Sequence, residues 1–399
     1  MDRLRNPYAP GAGSEPPELA GRGEIIDALL LNIRRVRQGR HDRSVVLLGL
    51  RGVGKTVLLQ HILREAEREE NFAISIEAPE NRSLPAMIAP PLRQILLRLS
   101  RVDAAKASAA RAFKALAGFA RGLKLSYGDI AVNFDYEPEP GLADNGDLEL
   151  DLAALLGEVG SAASAAKTAV VLFIDELQYV KEPELAALVS ALHQCSQHRL
   201  PVIVAGAGLP QIRGKLGKAK SYAERLFEFR EIGALSAPDA QDALVKPANG
   251  EGVEIEDAAA ELIIAETGGY PYFLQEWGKH AWNLALGSTI RRDDVVQASA
   301  ETIAALDDGF FRVRFDRLTP VEKRYLRAMA ELGAGPHRSG DIADVLERSV
   351  SSFGPIRASL ISKGMIWSPT HGDTAFTVPL FDQFMKRIMR GDDWKTPGR

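Results

Sequence analysis

The run Gly49-Leu50-Arg51-Gly52-Val53-Gly54-Lys55-Thr56 constrains this 399-residue chain more than any other feature. It fits G-x-x-x-x-G-K-[ST] and lies between an apolar run, 44–49, and a stretch of helical spacing, 56–70. The glycines permit a tight wrap in which successive backbone N–H groups point at one centre. A helix opening at Lys55 and Thr56 adds its positive N-terminal end. Such a loop suits a polyphosphate, with Lys55 as a point charge at the β/γ-phosphates and the Thr56 hydroxyl as a Mg²⁺ ligand.

A second element follows about 120 residues later, where Val170-Val171-Leu172-Phe173-Ile174 runs into Asp175-Glu176. A buried strand ending in a carboxylate brings Asp175 beside the loop, where it can hold Mg²⁺ directly or through water. Glu176 then stands where a general base could polarise an attacking water. Further apolar runs at 72–76 and 201–205 alternate with helical stretches, which predicts an α/β fold around a parallel sheet.

Composition narrows the class. The chain is 46% hydrophobic and 26% charged, ordinary globular usage, and its formal net charge is −4. That excludes a chain coated in basic charge but leaves room for a local nucleic-acid site. One cysteine, Cys195, excludes an intrachain disulfide framework and fits a reducing compartment. No segment reaches the ~18 apolar residues of a membrane span, and no apolar stretch follows the arginines of the N-terminus, so a cytoplasmic location is expected.

These motifs resemble the AAA+/STAND superfamily of P-loop ATPases, close to the origin-recognition type, with residues 49–56 as Walker A and 170–176 as Walker B. The resemblance implies a P-loop NTPase parallel sheet of AAA+ type, a helical lid and a C-terminal winged helix-turn-helix, with ATP and Mg²⁺ as ligands. The expected organisation is a flexible tail (1–18), an ATPase core (19–232) with a helical, hairpin and acidic insertion (80–165), a lid (233–312) and a winged-helix module (313–399).

Softer matches follow from the same resemblance. Leu19-Ala20-Gly21-Arg22-Gly23-Glu24 looks like the family's entry motif near the adenine, although Gly23 replaces the usual acid. Gly268-Gly269-Tyr270-Pro271 is similar to the lid motif whose proline packs near the adenine. Residues 221–227 resemble the arginine-finger segment, so Arg225 either reaches a neighbouring subunit's γ-phosphate in a homo-oligomer or pairs on its own helix with Glu228. The strand at 202–205 ends in Gly206-Ala207-Gly208, where the family usually carries a polar sensor; either Gln211 substitutes or hydrolysis is slow.

The C-terminal residues read as helices at 319–332, 339–346 and 352–363, a two-stranded wing at 365–378 and a last helix at 380–389. If this module enters duplex DNA, Ser352, Arg357, Ser359 and Lys363 on the third helix would read bases. Thirteen basic against ten acidic residues over 316–399 is a thin excess for that task, so a lid or protein-docking role stands beside it. Residues 129–158 hold nine acids and no lysine or arginine, either a solvated loose insertion or a docking surface for a basic protein partner. Three functions follow: an ATP-driven switch moving the winged-helix module, a DNA-directed ATPase, or a regulator that binds ATP and barely hydrolyses it.

Overall fold

The computed structural model describes residues 1–11, 13–78, 82–123 and 137–395. The hairpin expected around Gly128-Asp129 lies outside the described residues.

Five parallel strands form the central sheet: β1 (Ser44–Leu48), β2 (Phe72–Glu77), β3 (Val170–Asp175), β4 (Val202–Gly208) and β5 (Phe227–Glu231). Their order is β2-β3-β4-β1-β5. Inner strands covered on both faces read as unbroken apolar runs, and β1 and β3 are buried at every position. Alternate residues serve opposite faces. Val46, Leu48, Leu172 and Ile174 pack against one helical layer, and Val45, Leu47, Val171 and Phe173 against another. The second layer contains the helices Gly23–Arg37 and Lys55–Arg68.

The first layer combines the segment expected as an insertion with the helix Glu182–Gln197. Helices Leu84–Leu99, Lys106–Gly122 and Leu148–Ala165 supply much of the core on that face. Four of the acids that suggested a docking surface are engaged locally. Asp151 is fully buried and accepts hydrogen bonds from the Asn145 and Gly146 backbone N–H groups. Glu149 bonds Lys220 at 2.6 Å, Glu158 pairs with Arg111 at 3.0 Å and Glu139 with Lys114 at 3.3 Å.

Four helices follow the sheet: Ala237–Gly250, Asp257–Thr267, Pro271–Leu284 and Arg292–Ala305. Two short parallel strands, β6 (Glu254–Ile255) and β7 (Thr289–Ile290), tie them together. The C-terminal residues form helices Pro320–Leu332, Ser339–Val345 and Gly354–Ser362. They also form a three-stranded sheet from β8 (His337–Arg338), β9 (Ile366–Trp367) and β10 (Asp373–Phe376), in the order β8-β10-β9. Thr319, Pro320 and Glu322 form the capping box expected at the first of these helices.

The lid and the C-terminal residues share one core. The π-helical segment Leu306–Phe311 joins them, with Phe273 of the lid 5.8 Å from Phe310 and 6.3 Å from Phe311. Phe311 in turn stacks on Phe384 of the last helix, Phe381–Ile388, at 5.3 Å. The boundary expected at 312/313 therefore cuts through a continuous aromatic cluster.

The N-terminal segment departs from the loose tail its proline and glycine content predicts. Tyr8 is 3% exposed, donates its hydroxyl hydrogen to the Leu244 carbonyl and packs on Gly278, where an added Cβ would lie 2.8 Å from the Tyr8 ring. The segment then crosses to the other body, where Glu15 pairs with His61 at 2.7 Å and with Arg64. Composition gave no sign of this, because single residues carry the anchoring, among them Asn6, which donates to the Lys279 carbonyl at 3.1 Å, beside Tyr8 and Glu15.

Candidate nucleotide site

The loop after β1 turns through two left-handed glycines, Gly52 at φ 82° and Gly54 at φ 90°, a region costly to any residue with a Cβ. Gly49 is required by crowding, since a Cβ there would lie 2.3 Å from the Ile232 carbonyl oxygen. The helix Lys55–Arg68 begins directly after the loop.

Lys55 is 7% exposed and its Nζ donates to the Gly49 carbonyl at 2.9 Å and the Leu50 carbonyl at 2.8 Å. Burial lowers its pKa to about 8, against the opposing pull of Glu176 and Asp175. The Thr56 hydroxyl donates to Asp175 Oδ2 at 2.5 Å. Burial raises the Asp175 carboxyl above its ordinary value, although the Thr56 hydrogen bond works the other way. A hydroxyl and a carboxylate are hard oxygen donors, the type Mg²⁺ takes when phosphates and water complete its shell, so the pair fits that ion.

Glu176 sits at φ 54°, left-handed for a residue with a side chain, a conformation that clusters at functional sites. Its carboxylate lies 3.8 Å from Arg51 and accepts a hydrogen bond from Gln178. Gln178 also accepts from the Leu209 N–H at 3.1 Å. This explains why β4 ends in glycine. A Cβ at Gly206 would lie 2.3 Å from Leu177, and one at Gly208 2.9 Å from Gln178. The polar group at the end of β4 thus comes from the turn after β3. Gln211, the expected substitute, does not line the cavity.

The cavity measures about 360 Å³ and is lined by loop residues 51–58, Glu176, the N-terminal segment, the lid and Arg314. Its remaining wall is largely apolar, with Leu19, Ala20, Leu235, Ala243 and Pro271 beside the polar Gln275. Such a wall suits a purine base. Arg22 lines it too, donating to the Gly233 carbonyl at 2.6 Å. Burial lowers the Arg22 pKa, with Asp239 opposing. Pro271 opens its helix at the first turn, and the next N–H, of Tyr272, donates to the Gly52 carbonyl at 3.1 Å. The lid is thereby hydrogen-bonded to the phosphate loop.

Arg225 is not part of this cavity. It is exposed where β5 begins, beside His41, His193 and Tyr222, whereas the loop lies where β1 ends. The expected pairing with Glu228 is absent, because Glu228 binds Arg230 at 2.5 Å.

The side chains expected to read DNA are engaged inside the C-terminal body. Arg357 donates to Thr374 at 3.0 Å and to Ser368 at 2.7 Å. Ser359 and Lys363 each bond Glu322 at 2.7 Å, and Ser352 bonds the Ser349 carbonyl at 2.7 Å. Burial disfavours the ionised Glu322, but bonds from Lys363, Thr319 and Ser359 outweigh it and hold the carboxyl down to about 2. Among the described residues no helix is long and apolar enough to cross a membrane, and no cluster of three or more His, Cys, Asp or Glu could hold a metal ion.

A parallel sheet with a glycine loop at the end of β1 and an acidic end on β3, one strand away across β4, is the arrangement of a P-loop nucleotide-binding fold. Residues 18–205 match the AAA ATPase domain family. Residues 308–385 match a domain of unknown function, DUF8462. No curated protein matches the chain in sequence. The fold is similar to the Walker-type ATPase of Pyrococcus abyssi, at TM-score 0.59 and 16% identity over 95% of this chain and 99% of that one. It is also similar to the Orc1 protein of Aeropyrum pernix in complex with DNA, at TM-score 0.50 and 16% identity, covering 96% of each chain.

Proposed function

We propose that this chain binds ATP with Mg²⁺, hydrolyses it to ADP and phosphate, and uses the cycle as a conformational switch. The reading rests on one observation: a lysine, the Thr56–Asp175 pair and a constrained glutamate line or border one cavity that the lid covers. The loop N–H groups and the Lys55 ammonium hold the phosphates. Bound Mg²⁺ would neutralise phosphate charge at Thr56 and Asp175. Glu176, oriented by Gln178 and Arg51, takes a proton from the attacking water. Arg22 and Pro271 flank the base.

The shared aromatic core decides what moves. Lid, C-terminal residues and Tyr8 belong to one hydrophobic cluster, and the sheet with its helices belongs to two others. The switch therefore opens between the sheet body and the combined lid and C-terminal body. ATP drives it only by binding the two arrangements with different affinity. Arg225, exposed and in no ion pair among the described residues, supports a nucleotide-dependent homo-oligomer in which it serves a neighbour's site.

The second reading is a DNA-directed ATPase. The helices and three-stranded sheet of the C-terminal body support a winged helix, and a protein of similar fold has been seen in complex with DNA. The internal engagement of Arg357, Ser359 and Lys363 favours the lid role. The deciding experiment measures ATP turnover of the wild type, Lys55→Ala and Glu176→Gln, each with and without duplex DNA. Loss of binding in Lys55→Ala and of turnover alone in Glu176→Gln is expected. Turnover equal in all three sinks the reading, and stimulation by duplex DNA would favour the second.

A further inference from the structure

Arg314 lies outside the matched AAA domain and within the stretch matched to the domain of unknown function. It stands on the short helix Arg312–Phe315, directly after the segment that joins lid to C-terminal residues. Yet its side chain lines the same cavity as Arg51, Lys55, Thr56 and Glu176. The guanidinium stacks 4.1 Å over the Phe310 ring and donates to the Phe310 carbonyl. Among the described residues no carboxylate lies within 4.0 Å of it.

A half-buried cation without a counter-ion is costly, and here the nearest like charges make it worse. Burial is the main reason its pKa falls to about 10; Arg51 and Arg317 push it further down, while Tyr272 and Glu176 oppose. Arg51, Lys55 and Arg314 thus line one wall with a positive charge that Asp175 and Glu176 offset only in part. A polyanion fits such a wall, and each added phosphate charge fits it better. Arginine's planar fork suits a phosphate's oxygens.

We propose that Arg314 contacts the terminal phosphate of the bound nucleotide and makes the pocket discriminate triphosphate from diphosphate. The inference rests on the nucleotide-site reading above and names the residue through which phosphate number reaches the C-terminal body. That residue arrives from a segment whose aromatic neighbours, Phe310 and Phe311, reach both the lid and the last helix. Losing the terminal phosphate releases the arginine, and with it a contact between the two bodies.

The test compares dissociation constants of a non-hydrolysable ATP analogue and of ADP, both with Mg²⁺, for wild type, Arg314→Ala and Arg314→Gln. Arg314→Gln keeps a flat, hydrogen-bonding end over Phe310 without the charge, so it decides the matter if Arg314→Ala fails to fold. The expected result is triphosphate affinity weakened about tenfold to a hundredfold, with ADP affinity changed by less than about threefold. Equal weakening of both ligands, or no change in either, overturns the proposal. If the wild type binds neither nucleotide, the site reading itself fails. If the wild type binds both and the ratio survives in Arg314→Gln, only the role of Arg314 fails.

Discussion

The Thr56 hydroxyl donates to the Asp175 carboxylate at 2.5 Å, although 119 residues separate the two in the chain. The contact exists because β1 and β3 flank β4 in one parallel sheet, so the loop leaving one strand meets the acid ending the other. Asp175→Asn should retain nucleotide affinity in the absence of divalent ions and lose the enhancement that Mg²⁺ gives. Titrating nucleotide with and without Mg²⁺ checks this; an unchanged Mg²⁺ effect removes Asp175 from the metal site.

Lys55 gives a pH signature. Its ammonium is needed for phosphate and titrates near 8 in the folded chain. ATP affinity should therefore fall as pH rises above 8, by up to about tenfold per pH unit. Without nucleotide the sign is opposite for stability. The unfolded lysine keeps its proton up to about 10.5 while the folded one has released it, so stability rises between these values. Affinity and melting temperature measured from pH 7 to 10 test both slopes, and Lys55→Met should flatten them.

Gln178 orients Glu176 without belonging to either sequence motif. Gln178→Ala should lower turnover by about tenfold and leave ATP affinity near the wild-type value, whereas Glu176→Gln should cost about a hundredfold or more. Single-turnover hydrolysis alongside equilibrium binding separates the two effects. A Gln178→Ala enzyme as fast as wild type shows that Arg51 alone suffices to hold the glutamate.

Gly49 has no room for a methyl group, since the obstacle is the Ile232 backbone and not a side chain that can turn away. Gly49→Ala should destabilise the fold by about 1–3 kcal/mol and disturb the phosphate loop. Thermal melting measures the first, nucleotide affinity the second. A neutral effect on both would mean that the backbone just after β5 can retreat.

Tyr8→Ala should loosen the N-terminal segment from the lid at a cost of about 3 kcal/mol and speed nucleotide release, because Ala9, Pro10, Gly11, Gly13, Ser14 and Pro16 line the cavity. Stopped-flow release of a fluorescent ADP reports the rate. An unchanged rate would show that the segment is a passenger.

The sheet, its two covered faces and the loop were legible because each follows from a local pattern. Apolar runs without alternation announce buried strands, and the glycine-lysine spacing names the turn between β1 and its helix. The C-terminal helices were legible from caps such as Thr319-Pro320. What stayed hidden depends on meetings between distant residues. No pattern around Gln178 announces that it fills the space left by Gly208, and nothing near Arg314 announces a neighbour such as Lys55. The bonding of the residues expected to read DNA stayed hidden on a similar point, since Glu322 gathers Ser359 and Lys363 from another helix.

Tyr8 and Ala20 are buried in a cluster whose other members begin at Ala240 and run to Trp394. During synthesis Tyr8 and Ala20 leave the ribosome well before residues 240–394 and must wait for them before they find their place. The sheet body, complete by about residue 232, can form meanwhile with its mouth uncovered. The nascent protein thus acquires its loop early and the strap across it late.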